Sequence, residues 1–143
     1  MCTLQALWSD PSDSDAAMRS GVHESTRGEN IPEFGADVTE RFCAANHVSL
    51  VIRSHQFCRQ GYKVMHSGRL ITLFSARNYF QSVSRGIAND GALLLLAQDG
   101  NGHLRVHPKR LQQLDLKNKH RVATPPDDWR VRMLGSLARC LQV

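Results

Sequence analysis

Ser49-Leu50-Val51-Ile52-Arg53-Ser54-His55 is the stretch that decides how this chain folds. Leu50, Val51 and Ile52 are consecutive, apolar and mostly β-branched, which is the composition of a short strand buried on both faces. The apolar run stops at Arg53, so His55 stands just beyond the strand's C-terminal end. A histidine there is well placed to ligate a metal through one imidazole nitrogen. Taken alone, it is more often a capping or hydrogen-bonded residue.

Working outward, Val38, Phe42 and Ala45 recur at helical spacing, Gly35 precedes them and Asn46 closes the run, which predicts a helix over 37–46. On the other side, Gly61–His66 and Leu70–Phe74 read as two strands joined around Ser67-Gly68. Ala92–Ala97 and Leu104–His107 form a second pair around Asp99-Gly100-Asn101-Gly102, whose glycines accept the positive φ that tight turns need. That turn begins like a calcium loop, but His103 and Leu104 stand where the loop needs an oxygen ligand and a glycine. Residues 9–35 are rich in Ser, Asp, Gly, Asn and Pro without a sustained period and read as a long loop. Beyond Gln113 the pattern decays. Trp129, Met133, Leu137 and Leu141 would share one face of a helix over 129–143, with a tail ordered only by packing on something else as the equal alternative.

The chain has 143 residues, enough for one domain, and its 41% hydrophobic and 22% charged residues describe a globular protein. The net charge of +5 lies largely after residue 104 without any block of like charges. A solvated surface is favoured there over nucleic-acid binding. Cys2, Cys43, Cys58 and Cys140 include no C-x-x-C pair, so neither a disulfide framework nor a zinc site is indicated. No leader pattern opens the sequence, and the longest apolar run, Ala92–Ala97, is too short to cross a bilayer. A reducing, cytoplasmic or nuclear setting without membrane contact is the expectation.

Three further segments place polar residues between apolar elements. Trp8-Ser9-Asp10-Pro11 reads on its own as a structural turn. Arg27-Gly28 could bring a guanidinium fork close to phosphoryl oxygens, although such an arginine is usually just a surface residue. In Phe74-Ser75-Ala76-Arg77-Asn78-Tyr79 the Tyr79 hydroxyl could meet a substrate oxygen, while Asn78 would hold the turn.

The order of the segments is more specific than any one of them. W-S-D-P, R-G, F-G-x-D-V-T-E-R-F, I-R-S-H followed by G-Y-x-V-M-H, I-T-L-F-S-A-x-N-Y and N-D-G-A together resemble the C-terminal part of the catalytic domain of the phosphoprotein phosphatases, the calcineurin-like serine/threonine metallophosphatases. The Arg-Ser-His form with Gly61-Tyr62 after it is most similar to the tetratricopeptide- and EF-hand-containing branches. The resemblance runs from about Leu4 to about Pro108. It implies an α/β fold in which one helix and a mostly β half form the C-terminal portion of a two-sheet sandwich. Residues 1–108 would be that part of the catalytic domain and 109–143 a basic tail.

By the same resemblance, His55 matches a ligand of the second of two divalent metals (manganese, iron or zinc), Arg27 the arginine that clamps the substrate phosphate, and Tyr79 the tyrosine lining the pocket. Arg53 matches a residue of mainly structural role. Two such metals, about 3.5–4 Å apart, would generate a hydroxide and stabilise the transferring phosphoryl group in direct hydrolysis. The family's G-D-x-H-G, G-D-x-V-D-R-G, G-N-H-E and H-G-G motifs do not occur in the 143 residues. The other metal ligands and the general acid are therefore absent from it, and this chain supplies one ligand. Arg77 and Phe80 stand where many members have proline and cysteine, and 81–88 departs from the usual acidic turn.

The implied function is phosphomonoester hydrolysis on phosphoproteins by a partial domain inactive on its own. The alternative is a non-catalytic phosphatase-like interaction module. The apolar faces of Val51-Ile52 and Leu93–Leu96 would lack their usual cover. Self-association or a regulatory protein at the exposed sheet is the expected consequence.

Overall fold

A computed structural model describes residues 3–12, 19–80, 88–111 and 139–142, without the side chains of Leu4 and of 139–142. The strand read at 49–53 is β4, Val48–Arg53, once the short elements before it are counted: α1 (Thr3–Trp8), β1 (Asp10–Pro11), β2 (Val22–Glu24), β3 (Pro32–Phe34) and α2 (Ala36–Asn46). After it come β5 (Tyr62–Met65), β6 (Leu70–Leu73), β7 (Gly91–Gln98), β8 (Leu104–Leu111) and β9 (Arg139–Gln142). This is the mixed α/β architecture expected, and the main sheet runs β5-β6-β4-β9.

The hairpin β5–β6 forms as read, from Tyr62↔Leu73 to Met65↔Leu70, and lays β6 parallel to β4 with Arg53 opposite Thr72. Both C-terminal strand ends therefore open at one edge of the sheet, with His55 beyond one and Phe74 beyond the other. The second hairpin, β7–β8, is longer than read and pairs Gly91 with Leu111 through Gln98 with Leu104. Leu50, Ile52 and Ile71 of the main sheet meet Val106 of β8, with Leu94 and Leu104 packed alongside. Two sheets thus enclose one core, the sandwich that the resemblance implied.

The cover expected to be missing is missing only in part. Ile52 is buried within the chain, whereas Leu95 and Leu96 are 51% and 54% exposed. Leu93 and Leu95 lie on the face of β7 turned away from Leu94, opposite Lys109 and His107.

Several sequence expectations need correction. Helix α2 forms where predicted, but it buries Thr39 and Cys43 while Phe42 is exposed. A polar contact sets that face: Thr39 Oγ1 lies 2.7 Å from Nδ1 of the buried His66. The proposed helix over 129–143 does not hold at its end, because 139–142 form β9, parallel to β4. The edge of β4 offers unpaired backbone groups, and a strand satisfies them where a helix could not. Residues 129–138 lie outside the described residues. The boundary read at 108 falls inside β8. Nor is 9–35 a plain loop: β1, β3 and β2 form a small sheet in that order.

Candidate phosphate-binding site

Asp10 is the centre of the arrangement, although its sequence context suggested only a turn. It lies in β1, which pairs with β3 through Asp10↔Glu33, and it is 5% exposed. A buried carboxylate must be paired. Its Oδ1 accepts a hydrogen bond from Arg53 Nη2 at 2.9 Å, and its Oδ2 accepts one from Arg27 Nε. Arg53, at the end of β4, is buried as well; it also donates to the Ser9 carbonyl at 3.2 Å and to Gln56 Oε1 at 3.1 Å. Burial pulls the Arg53 guanidinium below its usual pKa, and the charge and hydrogen bond of Asp10 oppose that shift. Removing one partner of such a pair costs about 3–5 kcal/mol, because the other is left buried and unpaired.

Arg27 is partly exposed, with 24% of its side-chain surface open. Besides Asp10, its Nη2 donates to the backbone carbonyl of His55, 28 residues away in sequence. Its guanidinium carbon lies 5.7 Å from the Trp8 ring centroid, within cation–π range. His55 completes the cluster. Its ring sits 4.4 Å from that of Trp8, and its Nδ1 is 3.4 Å from the Leu7 carbonyl. Its backbone takes φ +73°, a left-handed conformation uncommon outside glycine, of the kind that collects at functional sites. Trp8, Ser9, Arg53 and His55 line a cleft of about 350 Å3.

Arg27 and His55, paired on motif order alone, are thus brought together. Tyr79 is placed differently. It is 56% exposed and belongs to an aromatic group in which Phe57, Phe74, Tyr79 and Phe80 have ring centroids 5.0–5.5 Å apart. Phe57 follows His55 by two residues and Phe74 lies just beyond β6, so this group sits by the same strand ends.

The loop that carries Tyr79 is organised by Asn89, which the sequence reading quoted within N-D-G-A without giving it a role. Asn89 is 3% exposed; its Oδ1 accepts from the Tyr79 backbone N–H at 2.8 Å, and its Nδ2 donates to the Ala76 and Asp90 carbonyls at 2.7 and 2.9 Å. Asn78, expected to hold the turn, contributes a left-handed backbone and an N–H bonded to the Asn89 carbonyl. The departing segment 81–87 lies outside the described residues.

The residues present do not fit a two-metal centre by themselves. Among the described residues, no three His, Cys, Asp or Glu side chains converge on a point that could hold an ion. The carboxylate nearest the cluster, Asp10, is committed to two arginines. What the site offers is cationic hydrogen bonding: two guanidinium groups against one carboxylate, a formal excess of one positive charge beside an open cleft.

No family model matches the chain. Individual relatives do. It is 36% identical over 111 residues to serine/threonine-protein phosphatase BSL2 of Arabidopsis thaliana, a match covering 78% of this chain and 10% of the relative. It is 42% identical to serine/threonine-protein phosphatase T of Schizosaccharomyces pombe (67% and 18%), and 43% identical to serine/threonine-protein phosphatase 5 of Solanum lycopersicum (66% and 15%). The chain therefore spans between a tenth and a fifth of the length of these curated relatives. Among solved structures it resembles a Saccharomyces cerevisiae serine/threonine phosphatase described as similar to human PP5, with TM-score 0.52 and 28% identity over 76% of this chain and 34% of that one. Fold and motifs together define a piece of a metallophosphatase-type sandwich. The chain is a relative of the serine/threonine phosphatases and matches a C-terminal part of the phosphoprotein phosphatase domain. Among the described residues, no helix is long and apolar enough to cross a membrane.

Proposed function

We propose that this chain supplies the phosphate-binding wall of a serine/threonine phosphoprotein phosphatase centre. Arg27 clamps the phosphoryl oxygens, Tyr79 lines the substrate pocket, and His55 offers one imidazole towards the second of two divalent metals. The supporting observation is the hydrogen bond from Arg27 to the backbone of His55, which joins two motif residues distant in sequence, the second of them lining the cleft. One imidazole cannot hold a divalent ion against water, so hydrolysis requires further ligands, and none converge with His55 among the described residues. The part that carries this role extends through β8 to Leu111, with the residues after it as a basic extension. The outer face of β7, with Leu93 and Leu95, is the surface through which the chain self-associates or meets a regulatory protein.

The test is phosphate binding by the chain itself. Two charge-assisted hydrogen bonds from Arg27, at roughly 1.5–3 kcal/mol each, correspond to dissociation constants on the order of millimolar. Titration with inorganic phosphate and with a phosphoserine peptide should show binding that Arg27→Ala abolishes. With manganese added, no turnover of the peptide is expected. Phosphate affinity indifferent to Arg27→Ala would refute the clamp, and robust turnover would refute the shortage of ligands.

The second reading, a phosphatase-like module that docks without turnover, is favoured by the same lack of converging ligands. It predicts an Arg27-independent interaction through the β7 face.

A further inference from the structure

We propose that Asp10 is the residue that aims the Arg27 guanidinium, and that Arg53 fixes Asp10 for that purpose. The inference rests on the phosphate-clamp reading of Arg27 and adds to it the group that makes the clamp directional. A guanidinium on a flexible stem loses several rotors when it binds, unless something has already set its plane. Here the two oxygens of one buried carboxylate are divided between two arginines, Oδ2 taking Arg27 Nε and Oδ1 taking Arg53 Nη2. Arg53 is anchored to the end of β4 and to Ser9 and Gln56, so Asp10 is held by the sheet itself. A second restraint on Arg27 comes from the His55 carbonyl, and a third from the Trp8 face.

These bonds engage two of the five guanidinium N–H groups. The other three, both on Nη1 and one on Nη2, form the outer side of the fork. That side suits two oxygens of one phosphoryl group. Asp10 thus spends its charge on geometry: its negative charge opposes an incoming anion, and only its effect on Arg27 orientation favours one.

That opposition gives the test a sign. Asp10→Asn removes the charge and keeps the size. If Asp10 merely neutralised its neighbours, phosphate would bind the variant more tightly. If Asp10 aims Arg27, the variant binds phosphate about tenfold more weakly. Its Arg27 Nε–H, followed by side-chain 1H–15N NMR, also exchanges with water at least tenfold faster. Asp10→Glu provides the second arm should the asparagine variant fail to fold. It keeps the charge but moves the carboxylate by one methylene, so aiming predicts weaker phosphate binding and charge alone predicts no change. The chain carrying each substitution is titrated with inorganic phosphate, with Arg27→Ala as the reference for lost binding. Tighter binding by Asp10→Asn, or Arg27 exchange unchanged in both variants, overturns the proposal. Faster Arg27 exchange in a chain whose parent shows no phosphate binding would uphold the aiming and refute the clamp reading beneath it.

Discussion

Asn89→Ala is the perturbation whose size follows most directly from the structure. The Asn89 side chain is buried and makes three hydrogen bonds, one accepted from Tyr79 N–H and two donated to the carbonyls of Ala76 and Asp90. Each net hydrogen bond is worth about 0.5–1.5 kcal/mol, and a partner left unsatisfied in a buried place costs about 1–3 kcal/mol. Ala76 and Tyr79 are exposed, so water can reach part of what is released. The expected loss in urea unfolding is therefore about 2–4 kcal/mol, a large share of the stability of a domain this size. Asn89→Asp sharpens the test, since the carboxylate can still accept from Tyr79 N–H but turns an oxygen towards two carbonyl oxygens. It should be at least as destabilising as alanine despite its nearly identical shape. In both variants the Tyr79 ring signals should move, while α2 and the β4–β6 pair keep their chemical shifts. An aspartate variant within 0.5 kcal/mol of the parent would refute the assignment of Asn89 as the organiser of that loop.

Gly61 sits at φ +82°, and a Cβ there would come within 2.5 Å of the Gly91 carbonyl carbon and 2.7 Å of Ala92 N. Gly68 has φ +83° with nothing within 4 Å. Gly68→Ala should then cost only the left-handed penalty of about 1–2 kcal/mol, and Gly61→Ala clearly more in the same urea assay; equal losses would show that the clash is relieved at no cost. Asp99 accepts from the N–H groups of Asn101 and His103 and from Arg105, and these partners, led by the His103 N–H, hold its carboxyl at about 2. A depressed folded-state pKa adds stability that is present above the unfolded value of 3.8 and lost as pH falls through about 2. At pH 3 the Asp99 side-chain 13C signal should still report the ionised form, and a titration midpoint near 3.8 would contradict the turn geometry. Leu95→Lys, on the outer face of β7, should lower the apparent mass in sedimentation velocity if that face self-associates, without lowering the thermal midpoint; an unchanged mass would remove self-association through β7.

What the sequence disclosed, and what it hid, follows the range of the interactions involved. Strand β4 was legible because Leu50-Val51-Ile52 announces burial by composition, and β5–β6 and β7–β8 because their turns are local and rich in glycine. Helix α2 was legible in place but not in face: periodicity pointed to Phe42, whereas the Thr39–His66 contact turns Thr39 and Cys43 inward. No window around Thr39 contains that information. β1, β2 and β3 have two or three residues each, too few to show a period, and exist because they pair with one another. β9 exists because β4 has an edge to fill. At the site, Arg27 and His55 were legible through motif order, but Asp10 was read as a turn because its partners lie 17 and 43 residues away.

The same long-range link separates capture of phosphate from its hydrolysis. Among the described residues, the contacts that orient the Arg27 guanidinium come from Trp8, Asp10 and the His55 backbone. None of these contacts uses the His55 imidazole, whose ring is occupied with Trp8 and the Leu7 carbonyl. The clamp can therefore keep its geometry whether or not metal ligands are supplied from elsewhere. The left-handed backbone of His55 serves both sides of this division, since it turns the carbonyl to Arg27 while the side chain leaves in another direction. His55→Ala should then leave phosphate affinity within about twofold, whereas Arg27→Ala should remove it, since a lost charge-assisted bond of roughly 1.5–3 kcal/mol corresponds to a tenfold or greater change. If His55→Ala weakened phosphate binding as much as Arg27→Ala, the imidazole itself would be part of the clamp, and capture and metal binding would be one function rather than two.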